Sequence, residues 1–471
     1  MKKILTDNNF YPNEKTPLLE HYSEFDNVFV GLSPFFKIKV GLSETKKGFY
    51  CENNGIVYLL KNDMQEFTEQ FFDLVLDLDD NWRVDTVKAD YTKKEVEIYI
   101  THIGKEAECP KSYESCSIYD HAPSRRWRHL DLFEFKTYLV CSLPRIKNSQ
   151  NKVLTITPPW GSKSSRCTNQ FEVRVIDMLL GTRNQTKTAK LMNCSFNQVN
   201  RIMHRSVARG LERRPKDVAF TNLSIDEKSF KKNHNYVTVL SSPLSGVVID
   251  VCENRTKEAT ENLLKSVITE PNRDKVQTIS LDMWKAYIES VNKVLPMAKK
   301  VHDRFHLIKY LNDALDKVRR REVKHHEELK NSRYALLKNT ENLTEKQRIK
   351  FESIQEANLE VSKAWRIRED FKAIFGSQNT EEALNLFWKW GASVIRTNID
   401  EMKKVAKMFN NHLNGVCNAM VENFSNAMAE RLNGKIQEVK STARGYRTFN
   451  NFRNAILFFN GGLQLYPLNS Q

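Results

Sequence analysis

The chain has 471 residues, of which 40% are apolar and 28% charged, and its formal net charge is +15. This length predicts about two to four structural units, and the apolar content excludes wholesale disorder. The positive charge favours an acidic polymer as partner, although a generally basic protein would carry the same charge. The sequence has no long apolar run and no apolar segment after its N-terminal lysines. We therefore expect a cytoplasmic protein with no membrane span and no secretory signal.

The first third of the chain predicts a small α+β unit. Residues 1–65 contain short β-like pieces without a motif and stay unassigned. A helix-like run and two stretches of alternating polar and apolar residues follow, which predict a helix and a β-hairpin or meander within residues 66–156. Residues 157–170 are rich in Pro, Gly and Ser and predict a linker. The eight cysteines are scattered, without a C-x-x-C pair.

Residues 171–215 predict a helix-turn-helix. Three helical segments follow one another, and the short turn CS separates the last two. The last helix would enter the major groove of DNA. The polar residues of that helix that could face bases or phosphates are Asn197, Gln198, Asn200 and Arg201. A generic packing unit of three helices is the alternative.

Residues 216–303 alternate between strands and helices. Three strands with an antiparallel pattern come first and βαβ units follow, an order that suits an RNase-H-like sheet. Residues 304–420 are almost entirely helical, and residues 421–471 contain another long helix. The sequence therefore predicts an α/β multidomain protein.

Three acidic residues could form a catalytic site. Asp226 and Asp282 each end a predicted strand, where sites form in sheets of this kind, and Glu430 lies on the late helix. Three carboxylates from separate elements can hold two Mg²⁺ or Mn²⁺ ions beside a scissile phosphate, which one carboxylate cannot. Each residue also has an ordinary interpretation. Asp282 could be a helix N-cap, Asp226 could pair with Lys228, and Glu430 could be a solvated helix residue.

The tetrapeptide Asp303-Arg304-Phe305-His306 stands at the entry to the long helix that follows the last strand. In one interpretation Asp303 is an N-cap and the basic face of the helix is solvated. In the other, Arg304 and His306 lie next to the site and contact a phosphate or a flipped base.

Over residues 65–467 the sequence resembles the ISL-three family of bacterial insertion-sequence transposases. The most specific pieces are IDEKSFKKNHNYVTVL, SLDMWKAYI, DRFHLIKYLNDALDKVRR, SNAMAERLNGKIQ and ARGYRTFNNFRNAILFF. The resemblance implies a DDE enzyme with an N-terminal zinc knuckle, a helix-turn-helix, and an RNase-H-like catalytic core. That core would comprise residues 216–303 and 421–471, with residues 304–420 as a helical insertion.

The catalytic acids of the family match Asp226, Asp282 and Glu430, which implies that these residues are the divalent-cation ligands. Asp303 and His306 match the family's D-x-x-H pattern, which implies that both lie close to the site, with Arg304 between them.

The zinc knuckle of this sequence departs from the family pattern. The positions that match the four ligands hold Cys109, Ser112, Asn148 and Asn151, so only one good ligand remains. Nearby residues that could rebuild a site are Cys116, His121, His129 and Cys141. We expect no zinc, and instead a fold held by apolar packing around Trp127, Leu130, Phe133, Phe135, Tyr138 and Leu139.

The resemblance implies a transposase that binds the terminal inverted repeats of its element and cleaves and transfers DNA strands with two Mg²⁺ or Mn²⁺ ions. Its expected partner is double-stranded DNA, from both element ends and target. A homo-oligomer on DNA, association with the nucleoid and no membrane contact follow from the same resemblance. One alternative is an inactive copy that binds DNA as a repressor, and another is an RNase-H-like nuclease.

Overall fold

The computed structural model describes residues 27–32, 37–42, 47–51, 55–57, 61–162, 164–215, 217–231, 235–422 and 426–468. Side chains are described from residue 68 onward, except those of 426–430. The chain forms two compact units, Met1–Arg174 with Pro467–Gln471, and Val175–Tyr466. The described residues contain no helix that is both long and apolar enough to cross a membrane.

The first unit consists mainly of strands. Four short strands form an antiparallel sheet in the region that the sequence left unassigned: β1 (Asn27–Leu32), β2 (Lys37–Leu42), β3 (Lys47–Cys51) and β4 (Gly55–Val57). The predicted helix is α1 (Lys61–Val75), and the remaining strands are β5 (Trp82–Asp90), β6 (Glu95–His102), β7 (Glu106–Glu108), β8 (Ser115–His121), β9 (Arg125–Arg128), β10 (Lys136–Cys141), β11 (Pro144–Lys147) and β12 (Val153–Thr155). The predicted hairpin is the antiparallel pair β5–β6.

Two four-stranded sheets, in the orders β5-β6-β10-β9 and β12-β11-β8-β7, surround an apolar core. Trp127 and Leu139 are buried there, as expected, and Phe135 packs against the core. The expectation for Phe133 was wrong, because this residue lies in a turn with φ 54° and its side chain is 91% exposed. Trp160, inside the stretch predicted as a linker, is buried in the same core. Part of the stretch predicted as a linker therefore contributes a side chain to the core of the first unit.

Three helices lie where the helix-turn-helix was expected: α2 (Asn169–Thr182), α3 (Gln185–Leu191) and α4 (Phe196–Arg213). Helix α4 begins with a capping box, in which Ser195 and Gln198 satisfy each other's backbone N–H groups. Its buried face includes Val199, Ile202 and Val207.

The second unit contains one five-stranded sheet. Its strands are β13 (Asn222–Lys231), β14 (Asn235–Ser242), β15 (Val247–Glu253), β16 (Thr278–Leu281) and β17 (Lys299–His302), in the order β15-β14-β13-β16-β17. The first three strands are antiparallel neighbours, whereas β16 pairs parallel with both β13 and β17. This is the order of strands and helices that the sequence predicted.

Helices cover both faces of this sheet. Helices α5 (Lys257–Val267) and α6 (Lys285–Val294) bury one face in a core that includes Ile225, Leu264 and Ile279. On the other face Phe230 of β13 stacks on Phe452, and the last two helices are α14 (Asn426–Thr442) and α15 (Phe449–Asn460).

Most of residues 304–421 are helical, as predicted for residues 304–420. The helices are α7 (Arg304–Glu322), α8 (Arg333–Leu337), α9 (Glu345–Glu356), α10 (Glu360–Lys372), α11 (Thr380–Thr397), α12 (Asp400–Asn411) and α13 (Leu413–Val421). They share one apolar core, with Phe371, Trp390 and Phe409 packed against one another. Overall, the chain is a mixed α/β protein.

Candidate active site

The sheet places Asp226 and Asp282 on the same face. Ser224 of β13 pairs in parallel with Ser280 of β16, and each aspartate lies two residues further along its chain. Because side chains alternate between the two faces of a strand, each aspartate is on the face opposite the buried Ile225 and Leu281. The two carboxylates therefore project from neighbouring chain segments, just beyond the point where the pairing of β13 with β16 ends.

The sequence predicted that Asp226 ends its strand, but the structure shows that it does not. Pairing with β16 stops at Ser224, but β13 continues to Lys231 because β14 still pairs with it. Asp226 consequently lies inside an extended segment with only one neighbouring strand. Asp282 does follow the end of β16 directly, and it is not an N-cap, since α6 begins at Lys285 after Trp284.

Three donors contact the Asp226 carboxylate, and one of them is the backbone N–H of Glu227, which donates to Oδ1 over 2.7 Å. Asn433 of α14 donates from Nδ2 to Oδ2 over 2.7 Å, and the Lys228 ammonium lies 3.0 Å from the same oxygen. The Asp226 side chain is 20% exposed, so the group remains accessible from solvent. Glu430 belongs to α14 three residues before Asn433, but its side chain lies outside the described residues. Three residues are nearly one helical turn, so the turn that carries Glu430 adjoins the turn that contacts Asp226.

The Met283 N–H donates to Asp282 Oδ1 over 2.7 Å, and helix α7 supplies the side-chain partners of this carboxylate. The Tyr310 hydroxyl donates to Oδ1 over 3.4 Å, and His306 Nδ1 lies 3.6 Å from Oδ2. Burial, together with the negative charge of Asp282, raises the pKa of Tyr310 to about 12. His306 and Tyr310 are four residues apart and therefore lie on one face of the helix.

Asp303 and Arg304 have other contacts. Asp303 is the N-cap of α7 and accepts a hydrogen bond from the Phe305 N–H over 2.8 Å. The Arg304 guanidinium donates to the carbonyl oxygens of Ala419 and Glu422, at 2.7 and 2.9 Å. Burial lowers the pKa of Arg304. Of the tetrapeptide, His306 is the residue whose side chain contacts a candidate catalytic aspartate.

Comparisons with known proteins bear on this arrangement. The family model described as a transposase, of the ISL-three DDE type, matches residues 223–456. The transposase for insertion sequence element IS1001 of Bordetella parapertussis is 22% identical over 368 residues, which cover 74% of this chain and 88% of the relative. The transposase for insertion sequence element IS1557 of Mycobacterium tuberculosis is 25% identical over 369 residues, which cover 72% and 82%.

The chain belongs to this family of transposases. The matched segment runs from the start of β13 into α15. It therefore includes both aspartates, the helical stretch and the helix that carries Glu430.

The sequence pattern missed two residues that contact the candidate aspartates, Asn433 and Tyr310. Both lie on helices one turn away from residues that the sequence had singled out, Asn433 after Glu430 and Tyr310 after His306. Helical spacing of three or four residues was the signal that could have found them.

The four polar residues of α4 that the sequence analysis singled out differ in their exposure. Asn197 and Arg201 are exposed. The Gln198 carboxamide oxygen accepts a hydrogen bond from the Ser195 N–H over 3.0 Å, and the Asn200 Oδ1 is buried without a hydrogen-bond partner among the described residues. Of the four, Asn197 and Arg201 are therefore the residues with exposed side chains.

The region that the sequence analysis matched to a zinc knuckle contains two tight turns. In the first, the Tyr113 N–H donates to the Cys109 carbonyl and the Cys109 N–H to the Glu114 carbonyl. Hydrogen bonds from Ser112 lower the pKa of the Cys109 thiol. In the second turn, the Asn151 N–H donates to the Asn148 carbonyl. No group of three or more His, Cys, Asp or Glu side chains that could hold a metal occurs in the described part of the chain. The absence of zinc stays a prediction.

Proposed function

We propose that this transposase binds the terminal inverted repeats of its element and catalyses metal-dependent strand cleavage and transfer, with Asp226, Asp282 and Glu430 as ligands of two Mg²⁺ or Mn²⁺ ions. The observation that carries the proposal is the shared sheet face of Asp226 and Asp282, with α14 hydrogen-bonded to Asp226 through Asn433. The catalytic core has an RNase-H-like arrangement in residues 216–303 and 421–471, and residues 304–420 are its insertion.

The donor set suits a hard divalent cation. Carboxylate oxygens are the ligands that Mg²⁺ prefers, and Asp226 already attracts the Lys228 ammonium at 3.0 Å. Two bound ions would activate the attacking oxygen and stabilise the leaving oxygen of an in-line displacement. Asn433 orients the Asp226 carboxylate, and Tyr310 with His306 orients that of Asp282.

The same site serves two successive displacements at phosphorus. Water attacks first and frees a 3′ hydroxyl, and that hydroxyl then attacks target DNA. The carboxylates act as ligands and not as nucleophiles, so no covalent bond forms between protein and DNA. The transposase acts as a homo-oligomer that holds element ends and target duplex together.

Recognition of the repeats belongs to residues 171–215, with Asn197 and Arg201 of α4 reaching into the major groove. The small α+β unit of residues 66–156, the stretch 157–170 and the N-terminal 65 residues precede this region. The net charge of +15 supports phosphate contacts along the bound duplex.

One experiment separates this function from the two alternatives. Purified protein is incubated with Mg²⁺, DNA that carries the element ends, and a target plasmid. Our proposal predicts cleavage at the ends and joining of the freed 3′ ends to the plasmid. A repressor would bind the ends without cleaving them, and a nuclease would cut without joining, so either outcome contradicts the proposal.

A further inference from the structure

Beside the two aspartates lies an arginine that no part of the proposed chemistry uses. We propose that Arg255 is a positioning residue, which fixes the spacing between the chain segments that carry Asp226 and Asp282. This inference rests on the proposed function, because the spacing matters only if the two carboxylates hold metal ions together.

Arg255 contacts both segments at once. Its Nη1 donates to Glu227 Oε2 over 2.7 Å, and Glu227 follows Asp226 directly in β13. Its Cζ lies 4.6 Å from the ring centroid of Trp284, which is two residues after Asp282. The Trp284 indole N–H donates to the Arg255 carbonyl over 3.2 Å. Arg255 therefore links Glu227, which is adjacent to Asp226, with Trp284, which lies two residues after Asp282.

A second ring holds the guanidinium in place. Tyr236 of β14 lies 4.4 Å from Cζ, so the guanidinium packs against two aromatic rings while it pairs with Glu227. A flat guanidinium can stack and form hydrogen bonds in its own plane at the same time, which an ammonium group cannot. The arrangement therefore depends on the shape of arginine as well as on its charge.

The sheet itself does not provide this link. The last pair between β13 and β16 is Ser224 with Ser280, so the backbone ladder between these two strands ends before Asp226 and Asp282. Two carboxylates that share metal ions must keep a fixed separation, although their charges repel each other when no cation is bound. Arg255 holds the segments together at the position where backbone pairing between them has stopped.

The same contact assigns different roles to adjacent acids. Glu227 lies on the face of β13 opposite Asp226, because consecutive side chains alternate. Its carboxylate pairs with Arg255, whereas Asp226 remains directed to the face that α14 covers. The geometry thus assigns Glu227 to positioning and leaves Asp226 as the ligand.

Metal binding provides a direct test. Arg255→Ala and Arg255→Lys are made in the full chain, and Mn²⁺ binding is measured by calorimetry without DNA, followed by the Mg²⁺ concentration that gives half-maximal cleavage. We expect both variants to bind Mn²⁺ about 10-fold more weakly, as is usual when a residue behind a metal ligand is lost. The lysine variant is the more informative one, because it keeps the positive charge and removes only the flat guanidinium shape. It also keeps the test open if the alanine variant does not fold.

Lys257→Ala is the matched control. Lys257 lies two residues away and forms an exposed ion pair with Glu289 at 2.9 Å, but it does not bridge the two segments. This variant should bind Mn²⁺ like the unaltered protein. Unaltered Mn²⁺ binding in both Arg255 variants would overturn the inference. Asp226→Asn and Asp282→Asn in the same titration separate the two claims, since the proposed metal site itself fails if they also bind normally.

Discussion

At the scale of single residues, Asp226 depends on a contact from a distant part of the chain. Asn433 lies 207 positions away and donates to Oδ2 over 2.7 Å. This hydrogen bond holds the carboxylate in one orientation and joins α14 to the sheet. Because a metal ligand works best in one fixed orientation, the contact should influence catalysis more than stability.

We predict that Asn433→Ala lowers the rate of end cleavage about 10-fold, because the Asp226 carboxylate loses its fixed orientation. The free energy of unfolding should change by about 1 kcal/mol, the usual worth of one hydrogen bond. Cleavage rates at saturating Mg²⁺ and urea unfolding measure the two effects. Gln437→Ala is the control, since Gln437 is exposed one turn further along α14. Equal rates for the two variants would contradict the role of Asn433.

The sequence analysis singled out Asp226 and Asp282, which the sheet places on one face, but not the residues that contact them. Both could be singled out because residue type and proximity to a strand are local features, although Asp226 lies inside its strand and not at its end. Asn433 could not be singled out, because its contact with Asp226 depends on how α14 packs against β13, and neither segment's sequence predicts that packing. Phe133 shows the opposite error, since its apolar class predicted burial whereas the turn at φ 54° directs it to solvent.

At the scale of elements, α4 divides into an exposed start and a docked end. The His204 ring accepts a hydrogen bond from Asn454 Nδ2 and donates one to Asn451 Oδ1, each over 2.9 Å, and both asparagines belong to α15. A side chain at Gly210 would place its Cβ 2.7 Å from that of Leu463, so only glycine fits there. The second half of α4 is therefore fixed to α15 and to the segment that follows it, whereas Asn197 and Arg201 near its start are exposed.

Two substitutions in α4 should have different effects. Arg201→Ala should weaken binding to the terminal repeat by about 1–3 kcal/mol and leave stability unchanged, because this exposed side chain can contact a base or phosphate. Gln198→Ala should instead reduce stability by about 1 kcal/mol, because it removes half of the capping box. Gel-shift titrations and thermal unfolding measure the two effects. The assignment of α4 as the DNA-reading element is wrong if Arg201→Ala binds the repeat like the unaltered protein.

The elements themselves followed closely from the sequence. The succession of strands and helices along residues 216–303 and the helical stretch after it were predicted because alternating and helical patterns are strong over these segments. The burial of Trp160 was not predicted, because Pro, Gly and Ser around it indicate turns and say nothing about where one aromatic side chain packs.

At the scale of the whole molecule, the catalytic sheet and the helical stretch meet at His302. This residue ends β17, its side chain is 3% exposed, and Gly415 of α13 lies so close that a Cβ there would be 2.5 Å from the ring. Burial lowers the pKa of His302 to about 4. The folded chain thus holds this histidine neutral.

Acid should weaken this junction. The ordinary pKa of histidine is about 6.5, so between about pH 6.5 and pH 4 the unfolded chain binds a proton that the folded chain excludes. The stabilisation is complete above the unfolded pKa and decreases by up to about 3 kcal/mol as the pH falls through this window. Urea unfolding across this range should show the loss, and His302→Asn should show a smaller dependence on pH. An identical pH dependence for the variant would contradict the assignment.

The central claim is that three carboxylates from β13, the segment after β16, and α14 hold the catalytic metal ions. Cleavage and binding of terminal-repeat DNA should be measured on the same samples of Asp226→Asn, Asp282→Asn and Glu430→Gln, in Mg²⁺. Because an amide keeps the shape but not the charge of the ligand, each variant should bind the repeat with unaltered affinity and cleave it at least about 1000-fold more slowly. Cleavage at a near-normal rate by any one of the three would contradict the account.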